Sequence, residues 1–344
     1  MGLLDRYRAT GADLPFGDPR RAHGVAMEGY FWRFSQPESG RSVIALIGVN
    51  RSDTGPWSTL GLGSYPAGFL RTMVHPEGSA VGDALGAAAG SAFRGSADRL
   101  QVDLGPDALL DVRISDRIEW PRRSFGGSSV FQSVPALNQY WHPWLLGGKV
   151  EGTAQLGGES WSLDGAQVYG EKNWGKGGFP DSWWWGQAQG FAEPDACVAF
   201  AGGEVSAGPL RTEVTALVVR LPGGKLIRLG NPGVSPVSAD VGDETWSLRG
   251  RRGTLTVTVE GSAPLGDAHV LPVPLPRERR NIAGAIEHLG GRLAVEVRRR
   301  GKLVWSGESE LAGLEHGGIE RARAEVLRRG GSADDADAGP VSAR

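Results

Sequence analysis

Short apolar runs alternate with turn-forming residues along most of the chain. Tyr30–Ser35 is aromatic-rich, 36–40 is turn chemistry and Arg41–Val49 is a β-branched run, which together read as a hairpin with a longer loop. Leu100–Leu104 and Leu109–Ile114 flank Gly105-Pro106-Asp107. Val150–Leu156 and Glu159–Leu163 flank Gly157-Gly158, which suits a two-residue primed turn. Thr215–Leu221 and Lys225–Leu229 surround Pro222-Gly223-Gly224, Thr254–Glu260 follows, and Leu293–Arg300 pairs with Leu303–Glu308 across Gly301. This spacing predicts a mainly β protein of antiparallel sheets, closed as barrels or sandwiches. Helices are expected at Arg277–Leu289 and Gly318–Arg328, and 79–93 reads equally as a short helix or a loop of small residues. Gly330–Arg344 is small, polar and acidic, which predicts disorder.

The length suggests two β-domains. The expected division is a leader over 1–22, an N-terminal domain over 23–165, a C-terminal domain over 166–328 and a tail over 329–344. The 54 Gly among 344 residues are about twice ordinary usage and favour many tight turns over a helical bundle. With 37 basic against 39 acidic residues, no whole-chain electrostatic case exists for nucleic acid or an anionic membrane. Cys197 is the sole cysteine, so neither an intramolecular disulfide nor a cysteine-rich zinc site is available. The start, Met1–Gly17, lacks a long apolar stretch, which points to a soluble protein of a reducing compartment such as the cytoplasm. Peripheral membrane contact stays open through Arg277, Arg279 and Arg280 on the expected helix. Oligomeric state is not legible.

Several motifs fail. The six His contain no HExxH, and no GxSxG elbow occurs. Gly61-Leu62-Gly63 starts like a dinucleotide fingerprint but meets Pro66. Gly170–Lys176 fits the first part of a phosphate loop, yet Gly177 stands where Ser or Thr is needed.

Seven of the 12 Trp fall between Trp141 and Trp185. Read as a strand, 183–191 places Trp183, Trp185, Gln187, Gln189 and Phe191 on one face. Trp184, Gly186, Ala188 and Gly190 form a nearly bare second face, open to close approach of another sheet. The first face suits the wall of a cavity for a large apolar molecule with a polar head, although Trp clusters more often fill cores. Glu171-Lys172-Asn173 lies beside these aromatics, either as an exposed ion pair or as chemistry, and adjacent strand residues cannot all share one pocket.

Tyr169-Gly-Glu-Lys-Asn-Trp-Gly, followed by Phe179-Pro-x-x-Trp-x-Trp-x-Gln, resembles the signature of the tocopherol cyclase-like family. Glu28–Arg33 and Tyr140–His142 are similar to further blocks, and the likeness spans roughly 25–320. The resemblance implies two lipocalin-like β-domains facing one another across a lipophilic cavity. It also implies an intramolecular cyclisation that turns a prenylated hydroquinone into a chromanol in the plant members. Related two-lipocalin folds serve carotenoid hydratases and natural-product cyclases, so fold does not fix the reaction.

Chromanol closure asks for a protonated carboxylic acid, an aromatic wall and exclusion of water, with no redox cofactor or metal. Burial against Trp raises a carboxyl pKa, and Trp faces stabilise a nearby cation. Glu171 is the expected general acid, with Asp181 as the alternative. Lys172 or Asn173 would anchor the quinol head or tune Glu171, and His142 would relay protons unless it is a satisfied structural residue. Gln187 and Gln189 would bond the hydroquinone oxygens, with Trp174, Trp183 and Trp185 along the tail path. Tyr30 and Trp32 would form the facing wall, with Tyr140 and Trp141 as further ligand contacts. Competing readings are a hydratase that admits water, a non-enzymatic carrier of an apolar ligand, and, weakest, a carbohydrate-binding module.

Overall fold

The computed structural model describes residues 2–338. A short helix α1 (Leu3–Arg8) precedes β1 (Met27–Gln36), β2 (Arg41–Ser52), β3 (Gly55–Tyr65) and β4 (Leu70–His75). Then come β5 (Ser79–Ala80), β6 (Gly86–Ala89), β7 (Phe93–Ser96), β8 (Arg99–Asp103) and β9 (Ala108–Ser115). After a long connection follow β10 (Tyr140–Leu145), β11 (Lys149–Leu156), β12 (Glu159–Ser162) and β13 (Gln167–Gly175). Next are β14 (Trp183–Ala188), β15 (Cys197–Ala207), β16 (Leu210–Arg220), β17 (Leu226–Leu229) and β18 (Val237–Val241). The last strands are β19 (Thr245–Arg252), β20 (Leu255–Ser262), β21 (His269–Leu275), β22 (Arg280–Arg299) and β23 (Lys302–Gly317), before helices α2 (Ile319–Arg328) and α3 (Ala333–Ala338).

The strands form three antiparallel sheets. The first runs β10-β13-β1-β2-β3-β4, the second β12-β11-β9-β8-β7-β6-β5, and the third β17-β16-β15-β14-β23-β22-β20-β19-β18 with β21 beside β22. The second sheet has one wet face. In β9, Ala108, Leu110, Val112 and Ile114 are buried while Leu109, Asp111, Arg113 and Ser115 are exposed. The first sheet is covered on both faces, so consecutive residues of β1 and β2 are buried instead of alternate ones. Its Trp32, Phe34, Val43 and Ala45 pack on the second sheet, while Ile44 packs on Leu271, Val273 and Ile282 of the third.

The third sheet curls over its own core of Trp184, Phe200, Trp246 and Leu314 without closing. The expected β class therefore takes the form of a sandwich beside a strongly curled sheet, not two closed barrels. Long β22 serves two layers. Its first half pairs with β21 and its second half with β20, with register shifts around Gly290-Gly291. A Cβ on Gly290 would strike the Tyr65 ring of the first sheet, so the close approach of the two sheets requires glycine there.

Four expectations change. Arg277–Leu289 is not a helix; Pro276–Glu278 forms one 3-10 turn and β22 follows. The basic helix face disappears with it, since Arg279 bonds Ser52 Oγ and Gly55 O. Residues 79–93 hold β5 and β6. The tail orders at Ala333–Ala338 because Ser332 and Asp335 cap each other and Ala336 packs on Ala322 and Val326; residues 339–344 lie outside the described ones. Helix α2 lies where a helix was expected. The chain leaves the first sheet after β13 and enters the third at β14, so the passage falls at 176–182. Among the described residues no helix is long and apolar enough to cross a membrane.

Candidate active site

Strand alternation sorts the functional side chains. Phe31 and Glu171 are cross-strand partners on β1 and β13, as are Arg33 and Tyr169, and Gly29 and Asn173. This set points toward the third sheet. From that sheet β14 turns Trp183, Trp185 and Gln187 back toward the first. Small residues stand beside the two Trp: Gly203 and Gly317 beside Trp183, Ala201 beside Trp185. Absent side chains there leave room in front of a tryptophan wall.

The result is a cavity between the first and third sheets, of about 1360 Å³ with its open mouth included. Trp141, Trp183, Trp185, Phe31, Glu171 and Asn173 line it. Glu171 Oε2 accepts three hydrogen bonds, from Trp141 Nε1 at 2.8 Å, Trp185 Nε1 at 2.7 Å and the Tyr169 hydroxyl at 2.6 Å. Burial pushes the Glu171 carboxyl up, and the three donors pull it partly back, leaving it at about 7. Oε1 takes none of these bonds.

Two carboxyls not selected from the sequence share this cavity. Glu287 and Glu315 are cross-strand partners on β22 and β23, and both line it. Trp183 Nε1 donates to Glu315. Burial and the neighbouring Glu315 raise Glu287 far above the usual carboxyl range. Arg33 opposes this rise, while its guanidinium nitrogens Nη1 and Nη2 bond Ser35 Oγ, Gln187 Oε1 and the carbonyls of Leu289 and Leu311. Burial lowers the Arg33 guanidinium to about 10. A lone Glu in the apolar run Ile282–Leu289 was the available signal, hidden by reading that run as a helix.

The structure divides the remaining residues. Tyr140 borders the cavity, its ring stacked on Trp174. Tyr30 borders it too, with its ring in the sandwich core under Lys172 Nζ. Trp32 is core between Phe93 and Trp144. Lys172 points away from Glu171, as adjacent strand residues must. Its Nζ bonds Glu28 Oε2 at 2.8 Å, Arg21 O at 2.8 Å and His23 Nδ1 at 3.0 Å. Burial lowers Lys172, opposed by Glu28. Trp174 sits there as well, stacked on His23 and donating to Gly11 O, so residues 11–28 pack as part of the fold.

His142 pairs in register with Lys172, away from Glu171, and burial lowers it to about 3, so it is neutral. Gln187 and Gln189 do not reach the cavity. Gln187 receives Arg33, and Gln189 donates to the carbonyls of Leu146 and Val168, which ties β14 to the first sheet. Asp181 is exposed on the β13–β14 connection and is not among the residues that line the cavity. The bare second face of β14 is filled by Phe200 and Leu314 against Gly186.

Fold and site together define a β-protein with a tryptophan-walled cavity between facing sheets and buried carboxyls on both walls. The chain belongs to the tocopherol cyclase-like family, whose sequence pattern matches residues 109–318. A relative from Oryza sativa subsp. japonica, described as a probable chloroplastic tocopherol cyclase, is 27% identical over 209 residues, 54% of this chain and 41% of that protein. The match thus spans about two-fifths of the relative's length. Among solved structures, kievitone hydratase from Nectria haematococca superposes with a TM-score of 0.52 at 12% identity, covering 86% of this chain and 90% of that one. CghA with Sch210972 gives 0.55 at 11% identity, covering 85% and 88%. At these identities the likeness is one of fold.

Proposed function

We propose that the cavity catalyses proton-initiated ring closure of a lipophilic alkene carrying its own hydroxyl, of the prenylated hydroquinone or related terpenoid class. The observation that carries this reading is Glu171, a carboxyl whose burial in a tryptophan-lined cavity holds it at about 7 against the pull of three donors. A proton added to a trisubstituted alkene leaves a tertiary cation. The faces of Trp141, Trp183 and Trp185 stabilise it by about 0.5–2 kcal/mol each. The substrate oxygen then forms the C–O bond and sheds its proton to a carboxylate. Family membership supports the reaction class, and the place of Glu171 in the cavity supports its taking part in the proton transfer.

The test is anaerobic incubation of the protein with geranylgeranyl hydroquinone, followed by mass-resolved chromatography beside the Glu171→Gln protein. A product of unchanged mass and new retention, absent from the variant, is the expected result. A gain of one water would make the protein a hydratase, and a probe that co-elutes unchanged would make it a carrier.

A further inference from the structure

We propose that Glu287 and Glu315 act as a proton-sharing pair that supplies the proton for the reaction, while Glu171 on the facing wall receives the proton of the attacking hydroxyl. The assignment rests on the proposed function and gives each wall of the cavity one half of the proton transfer.

The geometry is specific. Glu287 and Glu315 sit directly opposite each other on neighbouring strands, at the end of the β22–β23 ribbon that faces the first sheet. Two buried carboxyls at one register position on neighbouring strands cannot both carry charge, so one of them keeps its proton. Glu315 already receives Trp183 Nε1, so the negative charge belongs on Glu315 and the proton on Glu287. Glu287 is buried, and its Oε1 has no hydrogen-bond partner. An orphaned buried carboxyl oxygen is expensive unless a ligand meets it.

Glu171 is buried too, but it has the donors that Glu287 lacks. Three N–H and O–H donors converge on its Oε2, an arrangement that favours the carboxylate. Trp185 joins the two walls, since its Nε1 bonds Glu171 and its backbone is in register with Glu315. Two carboxyls whose environments push them apart mark an acid and a base. The charged groups facing Glu287 are Glu315, Glu171 and Arg33; Arg33 bonds Ser35, Gln187 and two carbonyls and makes no ion pair with Glu287, and its opposing pull ranks behind burial and Glu315.

The step balances. The Glu287 proton forms a C–H bond as the alkene π bond breaks. The hydroxyl oxygen closes on the cation, and its proton passes to Glu171. One proton has then moved from Glu287 to Glu171, and exchange with water at the open mouth restores both.

Two readouts test this on the full chain. Infrared difference spectroscopy at about pH 8 detects a protonated side-chain carboxyl without any substrate. The band is expected in the wild type and in Glu171→Gln, and absent from Glu287→Gln. Turnover of geranylgeranyl hydroquinone is expected to fall about a hundredfold or more in Glu287→Gln, with probe binding, read by Trp fluorescence, retained. Should that variant misfold, Glu315→Gln keeps Glu287 in place, and its band should disappear at lower pH than in the wild type. A wild type without the band, or Glu287→Gln turning over normally, overturns the assignment. Wild type that binds the probe and returns it unchanged overturns the proposed function itself, and the proton-supply role with it.

Discussion

Glu171 is ionised less readily in the fold than in an unfolded chain, and this has a measurable consequence for stability. Its carboxyl rises from 4.5 to about 7, first because of burial, against the pull of Tyr169, Trp141 and Trp185. A raised acid destabilises the folded state once the unfolded chain has ionised. The penalty is absent below about pH 4.5, grows as the pH climbs toward 7 and is constant above it. The rise corresponds to about 3 kcal/mol. Gln has no proton to lose. The difference in unfolding free energy between Glu171→Gln and wild type should therefore shift by about 3 kcal/mol in favour of the variant between about pH 4.5 and about pH 8. Urea denaturation of both proteins at both pH values measures it, and the subtraction cancels every other titrating group that the substitution leaves alone. A gap that stays flat with pH, or one that moves in favour of the wild type, would falsify the description of Glu171 as a carboxyl raised by burial.

Other substitutions probe separate parts of the site. Trp185→Phe removes one donor from Glu171 Oε2, so the limb of the pH–rate profile near neutrality should move up by about one pH unit, while loss of activity with no such movement would point to packing alone. Lys172→Met strands Glu28 in the interior and should cost about 3–5 kcal/mol in urea unfolding, with part of it recovered in the Lys172→Met/Glu28→Gln double variant. Gly29→Ala sets a methyl group against the Asn173 side chain; KM for the probe should rise about tenfold with the fold retained, and an unchanged KM would mean that Asn173 does not shape the cavity.

The strands were legible because their turns are. Gly105-Pro106-Asp107, Gly157-Gly158 and Gly301 each fall between paired strands. Alternation also sent Trp184 into the core of the third sheet and Trp183 and Trp185 to the side of the first. What the pattern could not supply was the partner of each face. Gln187 and Gln189 share the face of Trp185, but further along the strand the first sheet closes on them, and they meet carbonyls and Arg33 in place of a ligand. Glu171 and Lys172 looked like one cluster, yet the pleat sends them to opposite sides, one into the cavity and the other onto Glu28 and His23. Glu287 and Glu315 are separated by 28 positions in sequence and meet only because β22 and β23 pair. A run of apolar residues holding one Glu, such as Ile282–Leu289, does not tell a buried strand from a helix by period alone.

The most direct measurement of the central claim is the fate of hydrogen at carbon. Geranylgeranyl hydroquinone incubated with the protein in D2O should give a cyclised product with one deuterium bound to carbon at the former alkene, and none from Glu171→Gln. A product formed without deuterium at carbon would contradict proton-initiated closure. A probe recovered unlabelled and uncyclised from the wild type, though bound, would leave the cavity a carrier.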